Sequence, residues 1–123
     1  MARILICEPH ADIRSLLAFV VRRLGHEPVI SDGSREQVVA ADAIVLEPGQ
    51  QEALELARWA RQEVPTVAIV CASIFPPWPE TVALEPDAFL VKPFPLFKLE
   101  HALSSALEQR AGPHAVDASS VTA

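Results

Sequence analysis

"RILICEPHADIRSLLAFVVRRLGHEPV", residues 3 to 29, is the stretch whose reading decides the fold. It opens with Arg3–Cys7, a short continuous apolar run rich in isoleucine, the pattern of a strand buried on both faces. Glu8, Pro9 and His10 interrupt it. From Ala11 to Leu24 the apolar residues are Ile13, Leu16, Leu17, Val20, Val21 and Leu24, spaced as on one side of a helix. Asp12 suits the positive end of that helix, Arg22 and Arg23 suit the negative end, and Gly25 is a natural stop. Glu27–Ser31 then reads as a second strand. Pro28 demotes it to the sheet edge, because proline cannot donate a ladder hydrogen bond. A strand, a helix and a strand joined by short turns form a parallel crossover unit, and such units lay helices over both faces of a sheet.

The rest of the chain repeats that alternation. Asp32–Ser34 is turn chemistry, and Ser34 suits the cap of a brief helix over Arg35–Ala40. Asp42–Glu47 is a third strand. Gln50–Gln62 carries Ala53, Leu54, Leu56, Ala57 and Ala60 at helical spacing, with Trp59 expected to pack inward. Val64–Cys71, β-branched and apolar after Pro65, is a fourth strand. "IFPPWPE", residues 74 to 80, holds Pro76, Pro77 and Pro79 and cannot be regular helix. A short helix starts at Pro79 and Pro86 ends it, leaving at most about two turns. Ala88–Val91 is a fifth strand. Leu96–Arg110 is a last helix, with Leu99, Leu103, Ala106 and Leu107 on one side and Gly112 and Pro113 at its end.

The expectation is one domain over residues 1–111 and a small, polar, disordered tail over 112–123. The expected fold is three-layer α/β, a five-stranded parallel sheet between helices, with helices two and four shortened. In open parallel sheets ligands and chemistry sit beyond the carboxyl ends of the strands. The residues to read are therefore Glu8, Pro9 and His10, then Glu47, then Val70 and Cys71, then Lys92.

Composition narrows the function classes. The chain has 123 residues, half of them hydrophobic, enough for a core of one ordinary domain. Its formal net charge is −6, and its two lysines and eight arginines form no basic stripe, which argues against a nucleic-acid partner. No run reaches the roughly 20 apolar residues of a membrane span, and the start is too short for a signal peptide. A soluble, cytoplasmic protein is expected. Cys7 and Cys71 lack metal-type spacing and read as two buried thiols. His10 reads as an exposed residue near a helix start, with a ligand role beside Glu8 or Cys7 as the other reading. His26, His101 and His114 have no partner spacing.

"DAFLVKPF" (residues 87 to 94), the opening stretch and "ADAIVLEPG" (residues 41 to 49) together resemble the receiver domains of bacterial response regulators, the CheY-like family. The likeness spans roughly residues 3 to 110 and implies a flavodoxin-like doubly wound sheet of order 2-1-3-4-5. It also implies two-component or phosphorelay signalling. In that family a histidine kinase donates a phosphoryl group to an aspartate ending the third strand. An acidic pair after the first strand holds Mg²⁺, while a Ser/Thr after the fourth strand and a Lys after the fifth contact the phosphoryl oxygens. A strand-five aromatic reports the state.

This chain departs from the set. Glu47 takes the acceptor position with an extra methylene. Glu8 and Pro9 take the acidic pair, and Pro9 supplies no side-chain oxygen. Val70 takes the Ser/Thr position, or Cys71 if the register moves by one. Lys92, Pro93 and the switch aromatic Phe89 remain. The resemblance with these departures implies a pseudo-receiver: not an enzyme, without a cofactor, its Mg²⁺ binding lost or weak, working as a protein-interaction module independent of phosphorylation. No output domain follows in the sequence, so action alone or through contacts, as a homodimer among them, is expected. Phe75, Trp78 and Phe97 form the candidate interaction surface, with core packing as the other reading of Trp78. Glu47 and Lys92 are expected to face each other, as a silent ion pair with Glu8 nearby or as a stand-in for phosphate. Two alternatives stay open: a receiver phosphorylated at an unusual residue or competing for kinase phosphate, and a small-molecule-binding flavodoxin-like domain. The absence of a Gly-rich phosphate loop counts against the latter.

Overall fold

The alternation read from the sequence is the one the chain adopts in the computed structural model. The structure describes the backbone of residues 1–122 and the side chains of residues 1–110. In order, the elements are β1 (Arg3–Cys7), α1 (Ala11–Arg23), β2 (Glu27–Ile30), α2 (Arg35–Val39), β3 (Ala43–Leu46), α3 (Gln51–Glu63), β4 (Ala68–Ser73), α4 (Pro79–Leu84), β5 (Ala88–Val91) and α5 (Leu96–Thr122). The sheet is wholly parallel in the order β2-β1-β3-β4-β5. Pro28 lies on the edge strand β2, where its missing N–H costs the ladder least.

Successive side chains of a strand point to opposite faces, so each central strand feeds two cores. Ile4, Ile6, Val45 and Val70 pack with Leu17, Val20 and Val21 of α1 and Leu99 and Leu103 of α5. Leu5, Ile44, Leu46, Ile69 and Cys71 pack on the other side with Leu54 and Ala57 of α3, Val38 of α2 and Leu84 of α4. This double burial is why the strands read as unbroken apolar runs.

Three boundaries differ from expectation. β4 begins at Ala68, not Val64. Val64 ends α3, and its C=O accepts the Val67 N–H at 3.0 Å in a turn around Pro65. The fourth strand therefore runs to Ser73, two residues past Cys71. The uniformly apolar stretch offered no polar marker of its phase. β3 is shorter, because Asp42 serves as a connector: its Oδ2 accepts the Arg3 N–H at 2.8 Å and its C=O the Ala68 N–H at 3.0 Å. Finally, α5 continues through Gly112 and Pro113 to Thr122. A Gly-Pro step removes a helical hydrogen bond and lowers propensity without forbidding the helix. The tail expected over 112–123 lies outside the residues whose side chains are described.

The amino-end side of the sheet is tied by an ionic knot that the sequence reading missed. Asp87, nearly buried, accepts from Arg110 at 2.8 to 3.1 Å, from Arg61 at 3.4 Å and from the Ile69 N–H at 2.8 Å. Arg61 also donates to the carbonyls of Leu84 and Glu85. One carboxylate thus holds α3, α5, β4 and the turn into β5. Burial pulls the Arg61 guanidinium below its ordinary range, and the Arg110 charge adds to this. Asp87→Asn keeps the shape and removes the charge between two guanidinium groups. It is expected to cost about 2 to 3 kcal/mol in urea unfolding.

Glu85 caps α4 in the left-handed region, at φ 53° and ψ 58°, with its side chain exposed. A side chain at that geometry is strained, and glycine is the residue helices favour there. The Arg61 bond uses the backbone carbonyl and survives substitution. Glu85→Gly is expected to raise stability by about 0.5 to 1 kcal/mol, read as a higher urea midpoint at unchanged slope.

Candidate functional site

The ladder register brings three charged residues to one place. Cys7 pairs with Leu46 and Ser73 with Val91, so Glu8, Glu47 and Lys92 each stand one residue beyond a paired strand end. Backbone bonds continue the ladder past those ends: the Glu47 N–H donates to Cys7 C=O at 3.0 Å and the Lys92 N–H to Ser73 C=O at 2.7 Å. The Lys92 ammonium then donates to Glu8 Oε1 at 2.7 Å and to Glu47 Oε1 at 3.1 Å. The three side chains keep only 11%, 1% and 12% of their exposure for Lys92, Glu8 and Glu47. Two carboxylates and one ammonium thus share a nearly dry site.

The remaining oxygens are also occupied. Glu8 Oε2 accepts the His10 backbone N–H at 3.1 Å and lies 3.2 Å from His10 Nδ1. Burial pushes the Glu8 carboxyl up, but the bonds from Lys92 and from the His10 backbone and ring outweigh it. The group ends below its usual range. Glu47 Oε2 turns back to accept the Gly49 N–H at 3.0 Å. A Cβ at Gly49 would sit 3.2 Å from that oxygen, so this turn needs the close approach that glycine allows.

The other residues singled out in the sequence fall as follows. Pro9 and the His10 ring are exposed. Val70 is fully buried in the α1–α5 core. Cys71 faces the opposite layer, and its thiol is pushed up to about 12 by burial and by the Glu47 charge. Both cysteines are free and buried, and burial raises the Cys7 thiol also.

Phe89 is half-buried against the α3 side. Trp78 packs edge-on to it, with ring centroids 6.3 Å apart and planes at 85°. Trp78 is thus half-buried and not a free surface residue, whereas Phe75 and Phe97 are 58% and 64% exposed. Trp59 is half-buried under the Arg35 guanidinium, 5.0 Å from the ring. Beside the site, short α2 leaves a groove of about 660 Å³, faced by Arg14 and Arg35 and by Asp32, Glu52 and Glu55. Among the described residues, no three His, Cys, Asp or Glu side chains are grouped to share a metal ion. No helix among them is long and apolar enough to cross a membrane.

Solved structures place this architecture. A CheY-like receiver domain protein from Methanospirillum hungatei superposes with a TM-score of 0.76 over 92% of this chain and 98% of its own, at 17% identity. The chain has the receiver-domain fold. The response regulator TrrA from Thermotoga maritima, solved with Mg²⁺ and beryllofluoride, gives 0.70 over 86% and 99%, at 22% identity. NtrX from Brucella abortus, solved with ADP, gives 0.79 over 94% of this chain at 22% identity, and this chain spans 28% of the NtrX chain. No protein-family profile and no curated protein matches the sequence.

The charge arrangement has a pH signature. Glu8 is depressed on folding, so its contribution to stability is present above the unfolded value of about 4.3 and is lost as pH falls through the lower folded value. In Lys92→Met the two buried carboxylates lose their shared counter-charge, and burial then outweighs the remaining bonds that hold the Glu8 carboxyl down. That variant is expected to lose about 3 kcal/mol at pH 7 and to regain part of it on acidification, the reverse of wild type. Urea unfolding from pH 7 to pH 4 reads both slopes. Parallel slopes in the two proteins would show that Lys92 does not compensate the carboxylates.

Proposed function

We propose that this receiver-fold chain is a protein-interaction module of two-component signalling that takes no phosphoryl group at Glu47. The observation carrying the reading is the Lys92 ammonium, 2.7 Å from Glu8 Oε1 and 3.1 Å from Glu47 Oε1. A lysine that must meet developing phosphoryl charge has to be free to do so, and here it neutralises two carboxylates. A phosphoryl group on Glu47 would also start from a carboxylate already bonded through both oxygens.

Mg²⁺, which the fold implies, does not fit the donors present. Hard divalent cations need several free oxygens. Both Glu8 oxygens are engaged, one of them by a cation, Pro9 has no side-chain oxygen, and Cys71 offers a protonated thiol.

The silent ion pair is favoured over mimicry of phosphate. Glu47 is the longer side chain, but its second oxygen curls back to Gly49 and does not reach outward. Lys92 also sits closer to Glu8 than to Glu47.

The module works through contacts with proteins, a second copy of itself included. Ile74 and Phe75, just past β4, and Val91 at the end of β5 are 63%, 58% and 45% exposed and lie at neighbouring strand ends. That apolar cluster suits a protein contact. The two free, buried thiols fit a reducing cytoplasm.

The test is titration of the protein with Mg²⁺ and beryllofluoride, followed by backbone amide NMR, beside incubation with acetyl phosphate followed by intact mass. The expected result is no saturable shift at Glu47, Lys92 or Cys71 and no phosphoryl adduct. A saturable shift centred on those residues, or an alkali-labile adduct on Glu47, would overturn the reading.

A further inference from the structure

The segment between β4 and α4 is the least conventional part of the chain. It leaves the site at Ser73, whose C=O accepts the Lys92 N–H and whose buried hydroxyl accepts the Phe75 N–H at 3.3 Å. Pro76, Pro77 and Pro79 then fix φ at three of four residues, so little backbone freedom remains. The fourth residue, Trp78, is fastened at both backbone groups. Its N–H donates to Thr81 Oγ1 at 2.9 Å. Its C=O accepts the Thr81 hydroxyl at 2.8 Å and the Thr81 and Val82 N–H groups at 2.9 Å each. Thr81 itself is fully buried. On this fastened backbone the Trp78 ring makes a T-shaped contact with Phe89.

Phe89 stands three residues before Lys92 on the short strand β5, an edge strand whose residues are half-buried or exposed. Phe89 packs on the α3 layer and is half-buried there. Trp78 adds a further wall, with the two rings at 85°.

We propose that Trp78 is a built-in clamp that holds Phe89 in one rotamer and fixes the α4–β5 surface in a single shape. This regulation of the surface rests on the interaction-module reading and deepens it. A partner then meets the cluster of Ile74, Phe75 and Val91 already organised, which lowers the ordering cost of binding. The aromatic edge, and not bulk alone, is the active feature, because the T-shaped contact depends on the ring of Trp78.

The experiment is ¹⁵N and side-chain ¹³C relaxation dispersion on the full chain, without additives, for wild type, Trp78→Phe, Trp78→Leu and Thr81→Val. Wild type is expected to show no microsecond-to-millisecond exchange from Ile74 to Phe94. Trp78→Leu is expected to show exchange at Phe89 through Lys92 and along α4, with a second Phe89 rotamer populated at several per cent or more. Trp78→Phe stays close to wild type, and Thr81→Val, with the ring present but its anchor cut, falls between them. The proposal is overturned if wild type already exchanges at Phe89. It is also overturned if Trp78→Leu and Thr81→Val, both giving dispersed native spectra, remain as quiet as wild type. Should Trp78→Leu fail to fold, Thr81→Val alone decides by the same criterion. Failure of the interaction-module reading is seen separately, as a wild-type response to beryllofluoride at Glu47 and Lys92. A quiet Phe89 beside such a response would leave the clamp standing and that reading fallen.

Discussion

One ammonium group between two carboxylates sets the order of the carboxyl end of this sheet. Burying two negative charges and one positive charge at strand ends is costly unless every charge and lone pair finds a partner. The chain meets that demand with local means. Lys92 covers one oxygen of Glu8 and one of Glu47, and the backbone N–H groups of His10 and Gly49 cover the others. The strand ends must therefore stay in register, since a shift of one residue would swing Glu8, Glu47 or Lys92 to the other face and strand the remaining charges. Buried ion groups of this kind add little net stability, but removing one partner leaves an uncompensated charge and is costly.

The far end of the sheet is held by the same logic with the signs exchanged. There one carboxylate, Asp87, lies between the guanidinium groups of Arg61 and Arg110. β5 is thus fastened at its start by Asp87 and at its end by Lys92, with Phe89 between them under Trp78. A strand of four residues at a sheet edge has little cohesion of its own. The ladder to β4 and these three contacts of different chemistry together hold it in place.

The architecture was legible because the signals were periodic. Arg3–Cys7 and Ala11–Leu24 differ in period, and Gly25 and Pro28 mark the boundary and the edge position. The shortened α2 and α4 could be read from the spacing after Asp32 and from Pro79 and Pro86. The phase of β4 could not be read. Val64 to Ala72 offers no polar residue but Thr66 to tell one face from the other, and both faces of that strand are buried. The knot at Asp87 was missed for a different reason. Its partners lie 26 and 23 residues away, and no local pattern links an aspartate at a strand start to arginines on two helices. The one available signal was a charged residue opening an otherwise apolar strand.

By itself the sequence determined which elements form, their parallel arrangement, and which residue types stand at the strand ends. Those properties depend on short-range periodicity, on proline and glycine geometry and on the chemistry of single side chains. Only the tertiary structure decided how those residues are spent. Lys92 binds Glu8 more closely than Glu47, Glu47 folds back on Gly49, and Trp78 packs on Phe89. Each of these is a choice between partners that are all within reach. Such a choice is fixed by ångström-scale register and by competition for hydrogen bonds in a dry site, quantities that a linear sequence does not carry.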